Sequence, residues 1–426
     1  MSKQSSGRAL SKPKGSSLAA RLLYGEPTPQ GDTVGVRTKS IERMIGPSEV
    51  EAEIAARESE LEQQFHDAEK ASKKIQKKIR AGLFGDVTGC SVCLREKDGI
   101  VVSPLLYIVE FHVKQIVSKK ALLDYNPRKK KLKNGEIQKI PQSIDGVLTK
   151  VVEAEPYLTE ISSGLVKVKR QERLQDIRNS PVALQDTEII GGLPILEQGK
   201  AGWGTLGIAF SNRIDESSST TIYYALANAH FAHNDQLMVQ PDVTPSDTNR
   251  WEIGTVNKQF DKKDGDGFFV DAALIRLNDN REVVTRLVQE FGKEKFLFAS
   301  RPLNSFKDRN KKVYKFGART ARRLEGTIVD PTYTDFSLGV MIAAKGVDRG
   351  FTIEGDSGSV LVAPVFDSEG SETERLLVVG LCFGGDEFDT KKLYACHFSQ
   401  VIKALGLDIP KSHLREKWSY RRPSQD

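Results

Sequence analysis

The sequence has no run of about 18 consecutive apolar residues, so no helix is expected to cross a membrane. Its first residues, "MSKQSSGRALSKPKGSS", lack the apolar core of a secretory signal. Cysteine is scarce. The four present, Cys90, Cys93, Cys382 and Cys396, do not make a secreted disulfide framework, and a reducing, cytoplasmic home is the simpler expectation. Cys90 and Cys93 do form C-x-x-C, and His397 adjoins Cys396. But "GCSVCLREKDG" reads as a strand with its two cysteines on opposite faces, and a second close ligand pair is lacking. No metal and no cofactor are expected. A large charge excess is also missing. Sixty-three Lys and Arg face 57 Asp and Glu, and the net +6 sits mainly in the ends and in "NPRKKKLKNG" at 126–135. That run reads as a solvated loop rather than a nucleic-acid or anionic-surface patch.

What is present is length and apolar content: 426 residues, 38% hydrophobic, enough for two or three domains. Residues 1–47 read as a disordered basic tail rich in Ser, Gly and Pro. A long amphipathic helix is expected over 48–82. Ser48 and Glu51 have capping-box spacing, and Val50, Ile54, Leu61, Phe65, Ala68, Ile75 and Ile79 form one apolar stripe. Acidic residues fill its first half and basic residues its second, which suits the helix dipole. The stripe implies either packing on its own domain or self-association through the helix. Residues 83–160 read as a small α/β domain, 161–185 as a polar linker, and 409–426 as a basic tail.

From 186 to 408 the texture is short β-rich runs separated by Gly, Asn and Asp turns, with a helical interruption near "NREVVTRLVQEFGKEKFLFA". Two runs of about six strands each imply two β-barrels, at about 186–283 and 310–408. The fold class is therefore β-rich, a double six-stranded barrel preceded by a long helix and a small α/β domain.

Three segments in this β region carry chemistry. "YYALANAHFAHND" places His230 at the end of an apolar strand, "FFVDAALIRL" places Asp271 inside one, and "FTIEGDSGSV" places Ser357 in a glycine-rich turn. A serine hydroxyl is a poor nucleophile until a base takes its proton and a third group orients that base. The order His, Asp, Ser is one of those known for such triads. A carboxylate among Phe269, Val270, Ala272 and Ala273 is costly without a partner, and a histidine would be one. Gly355 can take the backbone angles of a tight turn that aims N–H groups at one point. His233, with its polar flank, is the weaker candidate for the base. Asp264 and Asp266 read as turn residues rather than a calcium loop, and Arg319 and Thr320 as structural. Ser359 stands where the strand–helix elbow of ester hydrolases would need glycine.

"ALANAHF", "DAALIRL" and "GDSGS" resemble the three signature segments of chymotrypsin-fold serine peptidases. Together with "AGWGTLGIAF", "KFGARTARRLEGTIVDP" and "IPQSIDGVLTKVVEAEPY" they are similar to a trypsin-like peptidase family of bacteria and fungi that includes the plant narrow-leaf proteins, over about 85–408. The resemblance implies a serine endopeptidase with His230 as base, Asp271 as orienter and Ser357 as nucleophile. It implies an oxyanion hole at Gly355, Asp356 and Ser357. It also implies a substrate-pairing strand over Gly380, Leu381, Cys382, Phe383, Gly384 and Gly385, with Phe351 and Glu354 at the substrate pocket. Without a carboxylate at Phe351, an uncharged residue is expected before the scissile bond. The chain departs from the secreted members at Phe231, where they carry a disulfide cysteine, and at Phe383, where they often carry a serine supporting the aspartate. "EIIGGLP" resembles the start released when a trypsin zymogen is cut, but Glu188 precedes Ile189, not Arg or Lys. The partners implied are a protein or peptide substrate and a regulatory partner, with no membrane and no nucleic acid. The alternative function is a catalytically silent pseudoprotease that binds peptides or assembles a scaffold.

Overall fold

The computed structural model describes residues 42–80, 87–97, 100–113, 142–153, 156–158, 188–200, 203–212, 222–240, 252–278, 282–287, 295–303, 306–320, 322–348, 350–367, 371–386, 391–409 and 411–415. The tail before 42, the basic run at 126–135, the linker at 161–185 and the last residues lie outside them. The chain divides into two compact units, one ending at Val152 and the other comprising 112–115 and everything from Glu153 onward. None of the described helices is long and apolar enough to cross a membrane.

In the first unit the expected single helix is two, α1 (Pro47–Ala56) and α2 (Glu58–Arg80). The break falls at Arg57, whose guanidinium binds Glu53 at 2.6 Å and Glu60 at 2.5 and 2.9 Å, and also reaches the Leu105 carbonyl at 3.4 Å. A side chain held from several directions here takes the place of helical continuity. The start also differs from the expected capping box at Ser48. Gly46 is the N-cap, Pro47 opens the helix, and Glu49 returns to the Gly46 N–H at 3.2 Å. The stripe of Leu61, Phe65, Ala68 and Ile75 is buried within this unit. Phe65 meets the Tyr107 ring edge-on at 5.5 Å, and Ser72 lies 3.3 Å from the Cys90 sulfur.

Among the described residues the second unit holds two large sheets and a two-stranded one. The first comprises β1 (Pro194–Glu197), β2 (Trp203–Thr205), β3 (Ala209–Asn212), β4 (Ile222–Ala227), β5 (Leu237–Val239), β6 (Glu252–Lys263) and β7 (Phe269–Leu277), in the order β2-β1-β5-β6-β7-β4-β3. That is seven strands where six were expected. The difference is a break in one strand path, since β2 and β3 are separated only by 206–208. That connector keeps pairing: Leu206 N–H donates to Leu193 and Gly207 N–H to Leu226. The sheet therefore begins and ends on one continuous stretch of chain. The second sheet comprises β8 (Lys312–Phe316), β9 (Arg323–Asp335), β10 (Gly339–Gly346), β11 (Val360–Phe366), β12 (Glu372–Asp386) and β13 (Lys392–His397). Its order is β8-β11-β12-β13-β10-β9, and β8 also pairs β9, which closes a six-membered ring.

The expected helical interruption is instead two strands. Glu282–Leu287 runs parallel to Glu188–Gly191, and Lys295–Ala299 runs parallel to β12. β-branched and aromatic residues ("EVVTRL", "KFLFA") suit these edges, and pairing outweighs the helical spacing of the apolar positions. The expected strand through "KLYACHFSQVI" stops at His397. Helix α3 (Phe398–Leu405) follows, with an amphipathic pattern whose apolar residues Phe398, Val401 and Leu405 are buried. One main core draws on both sheets and α3, with Ile208, Leu226, Ile275, Val362, Leu381 and Phe398 among its members. A second core fills the ring around Ile328, Ile342, Phe351 and Leu361.

Candidate active site

Strand β4 ends at Ala227, and the turn that follows holds His230. Neighbouring β7 pairs Ala273 with Ala227, which brings Asp271 level with that turn. Asp271 is fully buried, and its two oxygens divide their work. Oδ1 accepts the N–H groups of Ala229 (2.7 Å) and His230 (3.1 Å), and Oδ2 meets His230 Nδ1 at 2.6 Å. Asn228 donates to the Asp271 carbonyl at 2.7 Å, and the Asp271 N–H donates to the Cys396 sulfur at 3.2 Å. The His230 side chain keeps 18% of its surface exposed. Burial alone would lower its pKa. The Asp271 charge and hydrogen bond, with the Asp261 carboxylate farther off, outweigh that and hold it above the usual histidine value. His233, the other candidate base, pairs with the buried Glu197 at 2.6 Å.

Ser357 precedes β11 and is tied to both sheets. Its carbonyl accepts the Thr205 N–H at 2.7 Å, the next residue's N–H donates to Cys382 O on β12 at 2.8 Å, and its hydroxyl donates to Phe383 O at 3.2 Å. The loop turns at Gly355, φ +99°. A Cβ there would meet the Trp203 indole at 2.8 Å, so both the backbone angle and the close approach call for glycine. Thr205 Oγ1 donates to the Gly355 carbonyl at 2.8 Å.

Asp356, between them, points inward and is 3% exposed. Its carboxylate takes the Lys315 ammonium at 2.6 Å and the N–H groups of Arg319 and Thr320 at 3.0 and 3.1 Å. The remaining residues expected at the substrate side fall as follows. Gly380, Leu381, Cys382, Phe383, Gly384 and Gly385 all lie on β12 and are buried. Phe351 is 1% exposed inside the second core, with the Lys315 ammonium 5.7 Å from its ring. Glu354 is half-buried, and its carbonyl lies 3.4 Å from the Arg319 guanidinium.

The two aromatic departures both pack. Phe231 lies against Gly204 and 5.4 Å from the His230 ring. Phe383 meets Phe269 edge-on at 4.9 Å. Asp271 reaches three hydrogen bonds on its carboxylate without a serine at 383.

Asp264 is a turn residue whose Oδ1 accepts two N–H groups, and Asp266 pairs with Lys403 at 2.6 Å. No group of three metal-binding side chains comes together among the described residues. Sequence reasoning missed Thr205 and Lys315. Nothing in "GWGTLG" marks Thr205. Lys315 did carry a signal, since it is a cation set between Tyr314 and Phe316 inside the strand "KVYKF".

No protein-family model matches the chain, and no curated protein matches it. Among solved structures it is similar to the protease Rv3671c of M. tuberculosis. The active form is 15% identical, with a TM-score of 0.30, over 55% of this chain and 87% of that one. An inactive serine-to-alanine mutant from strain H37Rv is 16% identical, with a TM-score of 0.28, over 54% of this chain and 90% of that one.

Proposed function

We propose that the chain is a chymotrypsin-like serine endopeptidase with its site between two β-barrels of the second unit. The observation that carries this reading is the 2.6 Å bond between a fully buried carboxylate and His230, whose neighbour Phe231 packs against Gly204 beside the carbonyl of Ser357, a serine anchored to both sheets. In the proposed reaction Ser357 Oγ attacks the scissile carbonyl and His230 Nε2 takes its proton. Asp271 holds the proton on Nδ1 and stabilises the imidazolium. The N–H groups of Gly355 and Ser357 receive the oxyanion. His230 then passes its proton to the leaving amine, the acyl group stays on Ser357, and water releases it by the same steps reversed. No metal or cofactor enters.

The region ahead of the barrels regulates the enzyme in this reading, and one pairing within the second unit supports that. β11 leaves β12 after Leu381, which opens one side of Gly384–Asp386. Pro156–Leu158 runs antiparallel along that side, Leu158 opposite Gly384 and Pro156 opposite Asp386. A substrate backbone would add to the same edge. The segment stands in for substrate and must yield to it.

The test is labelling with a fluorophosphonate, wild type against Ser357→Ala. Labelling of wild type alone is expected. A folded wild type that never labels would favour the silent, peptide-binding alternative.

A further inference from the structure

Lys315 is fully buried, as is its partner Asp356. An ammonium in such a place is costly unless a counter-charge meets it. Strand β8 fixes its position from both sides, since Lys315 is opposite Leu324 on β9 and Leu361 on β11. Gly317, two residues on, lies so close to the Asp356 carboxylate that a Cβ there would overlap it. The Arg319 and Thr320 N–H groups complete the cradle. Lys315, Gly317, Arg319 and Thr320 thus form one short stretch built around a single carboxylate.

That carboxylate belongs to the residue between Gly355 and Ser357. Anchoring it fixes the direction of the peptide groups on either side, one of which carries the Ser357 N–H, and holds in place the turn at Gly355 that presents the other proposed oxyanion donor. The "EIIGG" segment suggests another cation for this role, a new amino terminus at Ile189. In the structure Ile189 is fully buried in an uncut strand, Glu188–Gly191, paired to Glu282–Leu287. The place beside Asp356 is taken.

We infer that Lys315 is the positioning residue of the oxyanion loop, a built-in cation that holds Asp356 and keeps the site assembled in the uncut chain. This rests on the peptidase reading above. It makes activation independent of cleavage before Ile189 and leaves access to the substrate edge as the step open to control.

The experiment uses the full chain, its integrity checked by intact mass, and measures the second-order rate of fluorophosphonate labelling against pH. Uncut wild type is expected to label at Ser357. Lys315→Met is expected to fold, to lose at least about 100-fold in rate as for loss of an oxyanion donor, and to keep the wild-type acid limb, because the His230–Asp271 pair is untouched. A purely structural defect would shift that limb and the unfolding transition together. Should Lys315→Met fail to fold, Lys315→Gln keeps a donor without the charge and carries the same expectation. A folded Lys315 variant labelling at the wild-type rate overturns the inference. So does wild type that labels only after cleavage at a site-specific protease sequence inserted before Ile189. Wild type that labels neither cut nor uncut overturns the peptidase reading as well, which separates the two failures.

Discussion

Replacing Asp271 by asparagine isolates the role of one oxygen. Asparagine has the same shape but only one acceptor oxygen. Two N–H groups, from Ala229 and His230, already converge on Oδ1. With the amide oxygen there, the amide NH2 faces His230 Nδ1, which must then be bare. The ring proton moves to Nε2, the atom that accepts from Ser357 in the proposed reaction. The flipped amide would turn NH2 against two N–H donors at a site with no exposure, leaving each unsatisfied at about 1–3 kcal/mol. The unproductive tautomer is therefore the lower-energy state. The expected loss is about 10⁴-fold in the acylation rate, or about 5 kcal/mol of transition-state stabilisation, with little change in unfolding. Fluorophosphonate labelling rates, read beside thermal unfolding, measure both. An Asp271→Asn protein that is folded and labels within about tenfold of wild type would refute the argument that Asp271 sets the tautomer.

Three further outcomes are expected. In the proposed reaction His230 must be neutral, and its pKa lies above the ordinary histidine value, so the labelling rate should fall as pH drops through a midpoint above about 6.5. A wild-type midpoint at or below that value contradicts the Asp271 coupling. Burial pushes the Cys382 thiol up to about 12 and Cys396 well above its usual value, so iodoacetamide at mildly alkaline pH should leave both unmodified until the protein is unfolded. Rapid alkylation of either in the native state would contradict their burial beside the site. Tyr157→Pro with Leu158→Pro removes two strand N–H groups and should free the β12 edge, raising the labelling rate several-fold. A slower rate would show the segment supporting the site instead of covering it.

The His230–Asp271 pair was more legible in the sequence than the fold around it. Asp271 was legible because a charge inside "FFVDAALIRL" has no cheap solution except a partner, and the structure supplies His230 at 2.6 Å. The turn at Gly355 was legible from composition, and its φ of +99° is one that glycine accepts. The segment "NREVVTRLVQEFGKEKFLFA" was not. Its apolar spacing fits a helix, but two edges, at Glu188–Gly191 and at β12, were waiting for parallel partners. Pairing with residues far along the chain leaves no local trace. The long helix failed at Arg57 for a similar reason, since the Leu105 carbonyl it reaches lies 48 residues away in sequence. Thr205 was illegible because its value lies only in where β2 meets the serine loop.

Lys315 in "KVYKF" and Asp330 in "GTIVDPTY" are, like Asp271, charges buried within strands. Each buried charge has a partner: His230, Asp356 and Arg309, the last pair 2.8 Å apart and almost wholly enclosed. A buried charge in an apolar strand therefore announces a partner, not a function. Arg309 spends another donor on the Val329 carbonyl, and Asp330 accepts the Thr332 N–H, so that pair braces the irregular middle of β9. The other two pairs differ in what they adjoin. One holds an imidazole whose side chain stays partly open to solvent, and the other holds the residue between a serine and a left-handed glycine. The proposed chemistry rests on these two pairs, one holding the proposed base and the other the loop of the proposed nucleophile. The Arg309–Asp330 pair has no such neighbour, and its loss should show in unfolding, by about 3–5 kcal/mol for Asp330→Ala, rather than in the catalytic step.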